Sequence, residues 1–351
     1  MGLGKVNIQK TKNDRSTKHI IESLPQALLF FKGGNMTAER TIGIASADKA
    51  SLDFGGFPIE VHSAIPGTRI DILPELAHPE DFHGSPLVDH VVRFGGAFEG
   101  LIGADSGKYG QWDPDDLPKD GIVVLEHYYP EAQRLVGLIN QLAQRFIQNP
   151  RTYDDVGACR EYYDLAREGY DFLRVQEDET GFSMKGTTPV SLERAGLVST
   201  RLALGLSQSA LVRSEVRVVT KRTHLKGEPE THLTATVSWR ERALLPYAID
   251  KEPLTIADFV NPASGASVAA FVAAASTQET VPASIHHRSI FVTSQGVHFM
   301  RTALAQMGID TTFYSLGACS ELNDHYYLTG GKPVGDAGHA LRHFLPRGYT
   351  Q

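Results

Sequence analysis

The stretch Leu254–Phe271, LTIADFVNPASGASVAAF, reads as strand, turn and helix. Its apolar opening is continuous rather than alternating, which suits a strand buried on both faces. Small residues fill the turn, and VAAFVAAAS then has the makeup of a packed helix. Such a turn lets backbone N–H groups approach an anion at the helix N-terminus, where the helix dipole adds partial positive charge. Ser264 and Ser267 carry hydroxyls that can donate to phosphate oxygens, and Asp258, near the strand's end, can accept from a sugar hydroxyl. An ordinary capped helix after a buried strand gives the same pattern. No Gly-Lys-Ser/Thr closes the turn, so it is not a Walker loop.

Similar units surround this one. VSLERAGL (190–197) reads as a strand, then Arg194 with Gly196 giving room, then a helix. An arginine there can grip a phosphate with its planar fork, or simply be a surface residue. EVRVVTKRT is a strand with Lys221 and Arg222 near its end; either an anion site or a solvated hairpin follows from that. VTSQGVHF repeats the strand–turn–helix form, and Thr293, Ser294 and Gly296 are candidates for a further anion-binding turn. The neighbouring His286, His287 and Arg288 precede this strand with no carboxylate nearby, and are expected to be surface or structural groups.

Helical spacing marks Leu135, Leu138, Ile139, Leu142 and Phe146, and CREYYDLAREGYDFLRV is a second helix. TTFYSLG closes the series as a strand. Strands alternating with helices imply a mostly parallel sheet with helices on its faces, which binds ligands at the strands' C-terminal ends. Before the acidic, proline-containing run Asp113–Asp120 the chain is loop-rich. Short strand-like runs lie there at Thr41–Ala45, Ile59–His62 and Thr68–Leu73, and Val88–Phe94 is apolar but of open type. Residues 1–118 are therefore read as a separate strand- and loop-rich region, and 119–351 as the main domain.

The 351 residues are 41% hydrophobic and 21% charged, which fits a globular protein with a sizeable core. A net charge of -7 argues against a general nucleic-acid surface. The two cysteines, Cys159 and Cys319, offer no disulfide framework or zinc spacing. No apolar run reaches transmembrane length and no signal-type segment opens the chain, so a cytoplasmic protein with no membrane partner is expected.

Order then matters more than any single unit. ACREYYDLAREGYDFL, VSLERAGL, VTKRT, ADFVNPASGASVAAF and LNDHYYLTGGKPVGDAGHAL follow one another as five segments. In that order they resemble the uracil phosphoribosyltransferases, of the type I phosphoribosyltransferase fold. The last segment (322–341) is the most specific, because Leu-Asn-Asp-His followed by Gly-Asp-Ala-Gly is unusual. The resemblance covers about two thirds of the chain, from near Gly121 to Pro346.

The resemblance implies transfer of phosphoribose from phosphoribosyl pyrophosphate to a nitrogen heterocycle, with Mg²⁺ and in a homodimer. Arg194 and Arg222 would contact the diphosphate or its Mg²⁺-bound form. Ser264, Gly265, Ala266 and Ser267 would cradle the 5′-phosphate, and Asp258 would face the ribose hydroxyls. Tyr327, Leu328, Gly335 and Ala337 would lie around the base, with Asp336 near the ribose and metal. The chain also departs from the family's pattern. Ser264 and Ala266 stand where the family has Thr and Gly, Phe259 replaces a second acidic residue, LTGGKPV is longer, and His339 replaces Asp. The departures point to a base other than uracil, or to a catalytically silent regulatory protein that binds the same nucleotide. LTGGKPV and His339 are where a changed substrate is expected to show.

Overall fold

The computed structural model describes residues 46–54, 57–64, 90–94, 121–182, 185–192, 195–206, 215–224, 231–239, 249–260, 265–277, 279–319 and 337–345. Its strands are β1 (Ser46–Phe54), β2 (Phe57–Ala64), β3 (His90–Phe94), β4 (Ile122–Val124), β5 (Thr188–Leu192), β6 (Glu215–His224), β7 (Thr231–Trp239), β8 (Pro253–Val260), β9 (Ser284–Thr293) and β10 (Asp310–Cys319). The helices are α1 (Pro130–Gln148), α2 (Val156–Thr180), α3 (Ala195–Ala203), α4 (Ala266–Ser276), α5 (Ser294–Gln306) and α6 (Ala337–Leu341).

All ten strands join one sheet in the order β1-β2-β3-β7-β6-β5-β8-β9-β10-β4. Neighbours from β6 to β4 pair in parallel. The β1-β2-β3-β7-β6 side pairs antiparallel. The architecture is thus α/β, with a parallel sheet flanked by helices and an antiparallel extension. Three of the antiparallel strands come from before residue 118, so that region adds directly to the main sheet through the β3–β7 pairing. Val88–Phe94, of open type in the sequence, supplies β3. The runs at 41–45 and 68–73 lie outside the described residues.

Local sequence explains the element ends. Pro130 opens α1, where its missing N–H costs nothing. Asp155 caps α2 by accepting from Gly157 N at 2.8 Å and Ala158 N at 3.3 Å. Gly181 closes α2 in the left-handed region at φ 73°. Of the expected stripe, Leu135, Ile139, Leu142 and Phe146 are buried along α1, while Leu138 is half-buried.

Two apolar layers cover the two faces of the sheet. α1, α2, α3 and α6 belong to one layer with Ala257, Phe259, Ile290 and Leu316. α4 and α5 belong to the other, with Ile256, Val292, Phe313 and the inward residues of β2, β3 and β7. α4 is buried on nearly every side, with only Ser267 partly exposed. An alanine-rich helix fits there because β2, β3, β6 and β7 all pack close around it. Among the described residues no helix is long and apolar enough to cross a membrane.

Candidate functional site

Taken in chain order, the parallel strands β5, β6, β8, β9 and β10 occupy the spatial order 2-1-3-4-5. α3 leaves β5 on one face of the sheet and α4 leaves β8 on the other. The connections therefore diverge between β5 and β8, and a doubly wound sheet opens a crevice at that point, beyond the strands' C-terminal ends.

Asp258 sits there, two residues before β8 ends. Its Oδ1 accepts from Phe259 N at 2.7 Å. Across from it lies the start of α3, where a Cβ added to Gly196 would stand 3.7 Å from Asp258 Oδ2 and from the Ala257 carbonyl. α3 thus starts within van der Waals reach of the carboxyl, and a Cβ at 196 would make only ordinary contact with it. From α2, the Tyr170 hydroxyl donates to the Asp258 carbonyl at 2.7 Å, and the Thr200 hydroxyl donates to the Ala257 carbonyl at 3.3 Å. Tyr162 stacks on Phe259 with ring centres 4.9 Å apart. The end of β8 is thus held by two helices, α2 through Tyr162 and Tyr170 and α3 through Thr200. The residue keeps some exposure while its carboxyl is surrounded by protein, and burial pushes its pKa up to about 7, with the Phe259 N–H pulling the other way.

The β8–α4 turn ends at Gly265, which has φ 83° and no side-chain cap. A Cβ at Gly265 would come within 2.6 Å of Phe299 Cδ1 and 3.0 Å of Met300 Cε. Gly265 and Ala266 are buried and Ser267 is partly exposed in the first turn of α4. The comparable turn before α5 differs. Thr293 accepts from Gly296 N at 2.9 Å, so its hydroxyl caps its own helix. That is the ordinary reading of the Thr293–Gly296 unit, whereas α4 begins without such a cap.

Of the residues singled out in the sequence, Asp258 lies near the C-terminal end of β8, and Gly265, Ala266 and Ser267 form the start of α4. Arg222 lies within β6, two residues from its end. Ala337 is the first residue of α6 and is buried in the layer that holds α1, α2 and α3. Arg194, Ser264, Tyr327, Leu328, Gly335 and Asp336 lie outside the described residues. Sequence reasoning did not single out Tyr170. It stands 88 residues from Asp258, and an internal tyrosine of an amphipathic helix carries no local mark of such a role.

The histidine–arginine run is a correction. His286, His287 and Arg288 lie inside β9 rather than before a strand. His287 is buried and stacks on Phe313 at 4.6 Å, while Arg288 is buried and pairs with Glu177 of α2. The carboxylate that looked absent comes from a residue 111 positions away. Arg288 also lies over the Tyr314 ring, 5.2 Å from its centre. A cavity of about 160 Å³ opens beside these groups, lined by Phe182, His286, Arg288, Thr312 and Tyr314. It faces the N-terminal ends of β9 and β10, away from the switch point, and is smaller than a usual ligand pocket of roughly 300 Å³ or more.

His339 lies in α6. Its ring packs edge-on against Tyr153 at 5.1 Å and its Nε2 meets Arg342 Nη1 at 2.6 Å.

No family model matches the chain, and no curated protein matches it. Among solved structures it is similar to one described as the structure of the AQ2163 protein from Aquifex aeolicus. Identity is 16% and the TM-score 0.39, over 63% of this chain and 97% of the other. That likeness is too weak to bear on function.

Proposed function

We propose that the protein transfers phosphoribose from phosphoribosyl pyrophosphate to a nitrogen heterocycle and releases diphosphate. The observation that carries the reading is the switch point itself. A half-ionised carboxyl, Asp258, lies beside Gly196 and ahead of a glycine-gated, uncapped helix start. The N-terminus of α4, which has no side-chain cap at Gly265, suits a 5′-phosphate, and Asp258 suits ribose hydroxyls. In the reaction the C1–oxygen bond to diphosphate breaks as a heterocycle nitrogen bonds to C1, and that nitrogen loses its proton. The chain's part is to orient both partners, to exclude water, and to oppose the diphosphate charge with Arg194 and Arg222.

Magnesium fits this chemistry. It binds proteins through one or two carboxylates together with substrate phosphates; Asp336 is the residue the resemblance puts near the metal, and Asp258 would offer a second hard oxygen of that kind. Bound, the ion would neutralise charge developing on the diphosphate.

Calorimetric titration with phosphoribosyl pyrophosphate, with and without Mg²⁺, tests the reading. Diphosphate release is then followed across a panel of pyrimidines and other heterocycles. Micromolar binding and release with at least one base are expected. Binding without turnover on any base would favour a silent sensor, the reading that Ala266 and Ser264 motivate. Absence of binding would sink both.

A further inference from the structure

α2 turns a stripe of charge outward. Its inward side chains Tyr162, Ala166, Tyr170 and Leu173 are buried in the core. α1 lies along one edge of the stripe, where Arg134 pairs with Glu168 at 2.5 Å and Arg145 with Glu161 at 3.2 Å. The 3₁₀ turn Arg342–Phe344 lies along the other, with the Phe344 ring stacked on Tyr163 at 4.4 Å. Between these edges run Gly157, Arg160, Asp164, Arg167, Asp171 and Arg174, each exposed or half-buried. Alternate steps of three and four residues put all six on one face of the helix. Val156 and Val175 stand at the two ends of the stripe and are 56% and 71% exposed.

The order of the charges has a consequence for pairing. Arg160, Asp164, Arg167 and Asp171 alternate in sign at nearly even spacing. Laid parallel on a copy of itself, such a stripe sets arginine on arginine and aspartate on aspartate. Laid antiparallel, it sets each charge against its opposite. A two-fold axis then crosses the stripe midway between Asp164 and Arg167, and every contact occurs twice.

We propose that two copies of the chain pair antiparallel through the outward stripe of α2. Arg160 of each copy meets the partner's Asp171. At the axis, Asp164 and Arg167 gather with the partner's Asp164 and Arg167 in a four-charge cluster. Towards the ends, Val175 lies over the partner's Gly157, whose missing side chain leaves room. Val156 lies along the stem of the partner's Arg174. Within each helix Arg167 already meets Asp164 at 3.2 Å, and Arg174 already meets Asp171. Pairing extends these contacts across the axis and does not require breaking them. Exposed charge pairs stabilise little individually, so they set direction and register, while the valines and arginine stems supply the apolar contact. The dimer is accordingly weak and salt-sensitive. On its inner side the same helix holds the end of β8 through Tyr162 and Tyr170, so the contact backs onto the candidate site.

Sedimentation equilibrium on the full-length chain tests the pairing. The wild type is expected to dimerise, with Kd rising at least tenfold between 50 and 500 mM salt. Arg160 also lies over the Phe344 ring, so the variants are made at the central pair instead. Arg167→Glu gives the cluster four negative charges and Asp164→Arg gives it four positive ones. Each variant alone should weaken dimerisation at least tenfold. An equal mixture of the two should form heterodimers, because every contact across the axis then joins opposite signs. Recovery on mixing also shows that both variants are folded. A wild type that stays monomeric at low salt, an Arg167→Glu variant that dimerises like the wild type, or a mixture that stays monomeric would each overturn the proposal. The pairing does not rest on the phosphoribosyltransferase reading. Heterodimers from the mixture, in a protein that binds no phosphoribosyl pyrophosphate, would keep the pairing and sink that reading.

Discussion

A carboxyl group that burial holds near pH 7 is half protonated in neutral solution, and Asp258 is such a group. Its ordinary value is near 4, so between about pH 4 and 7 the folded chain keeps a proton that the unfolded chain has lost. Stability from this group is therefore fully present below pH 4 and declines as pH rises toward 7. A bound sugar hydroxyl or cation would instead favour the ionised form. The group is kept where the free fold would do better without its charge, as often happens at a working site. Asp258→Asn should then raise the melting temperature above pH 7, and the gain should shrink as pH falls and vanish only below about pH 4. The same change should weaken phosphoribosyl pyrophosphate binding at least tenfold. Melting curves at the two pH values and a titration check both halves. A variant less stable at pH 8 would show that the carboxylate has a compensating partner in the fold.

At the scale of elements, what was legible followed from period and composition. The β8–turn–α4 unit, the stripe along α1, α2, the β5–α3 unit, the β9–α5 unit and β10 all read directly from apolar runs and helical spacing. Antiparallel pairing did not. Thr231–Trp239 and Ser46–Phe54 carry polar residues throughout, and what makes them strands is the partner each pairs with, β3 far back in the chain for β7 and the adjacent hairpin strand β2 for β1. The Glu177–Arg288 pair and the Tyr170–Asp258 contact were hidden for the same reason, since each joins α2 to a strand about a hundred residues on. Of the site, Asp258 and the glycine turn could be read because a local motif carries them. Gly265 shows what that motif demands. Alanine there meets two costs: roughly 1–2 kcal/mol for a left-handed non-glycine residue, and about 1–3 kcal/mol for a Cβ forced against Phe299. Gly181 also has a positive φ, but nothing lies within 4 Å of its Cβ position. Urea denaturation should therefore show Gly265→Ala losing about 2–5 kcal/mol and Gly181→Ala about 1–2 kcal/mol. Equal losses would mean that the clash at α4 relaxes freely.

Over the whole molecule, the groups among the described residues that burial makes acid-sensitive are histidines. Burial lowers His287 to about 3 and His90 to about 4, and His286 shifts the same way, first by burial and then through Arg288. Below about pH 6.5 the unfolded chain takes up protons at these positions while the fold does not. Stability from a depressed histidine is full above pH 6.5 and is lost as pH falls toward the folded value. Asp258 acts in reverse between about pH 4 and 7 and offsets one of these protons. His90 and His287 alone then leave a net loss of one proton, a slope of about 1.4 kcal/mol per pH unit. His286 steepens it. Between pH 7 and 6.5 Asp258 acts without opposition, so stability should peak near pH 6.5 rather than at higher pH. His287→Phe keeps an aromatic ring against Phe313 and removes one titrating group, so its melting temperature should fall less steeply between pH 6.5 and 5. Asp258→Asn removes the opposing group and should steepen the same limb. The two variants bend the acid limb in opposite directions, which a general acid instability of the fold would not produce. Parallel melting curves for wild type and both variants across that range would sink the account, because they would place the acid-sensitive protons on other groups.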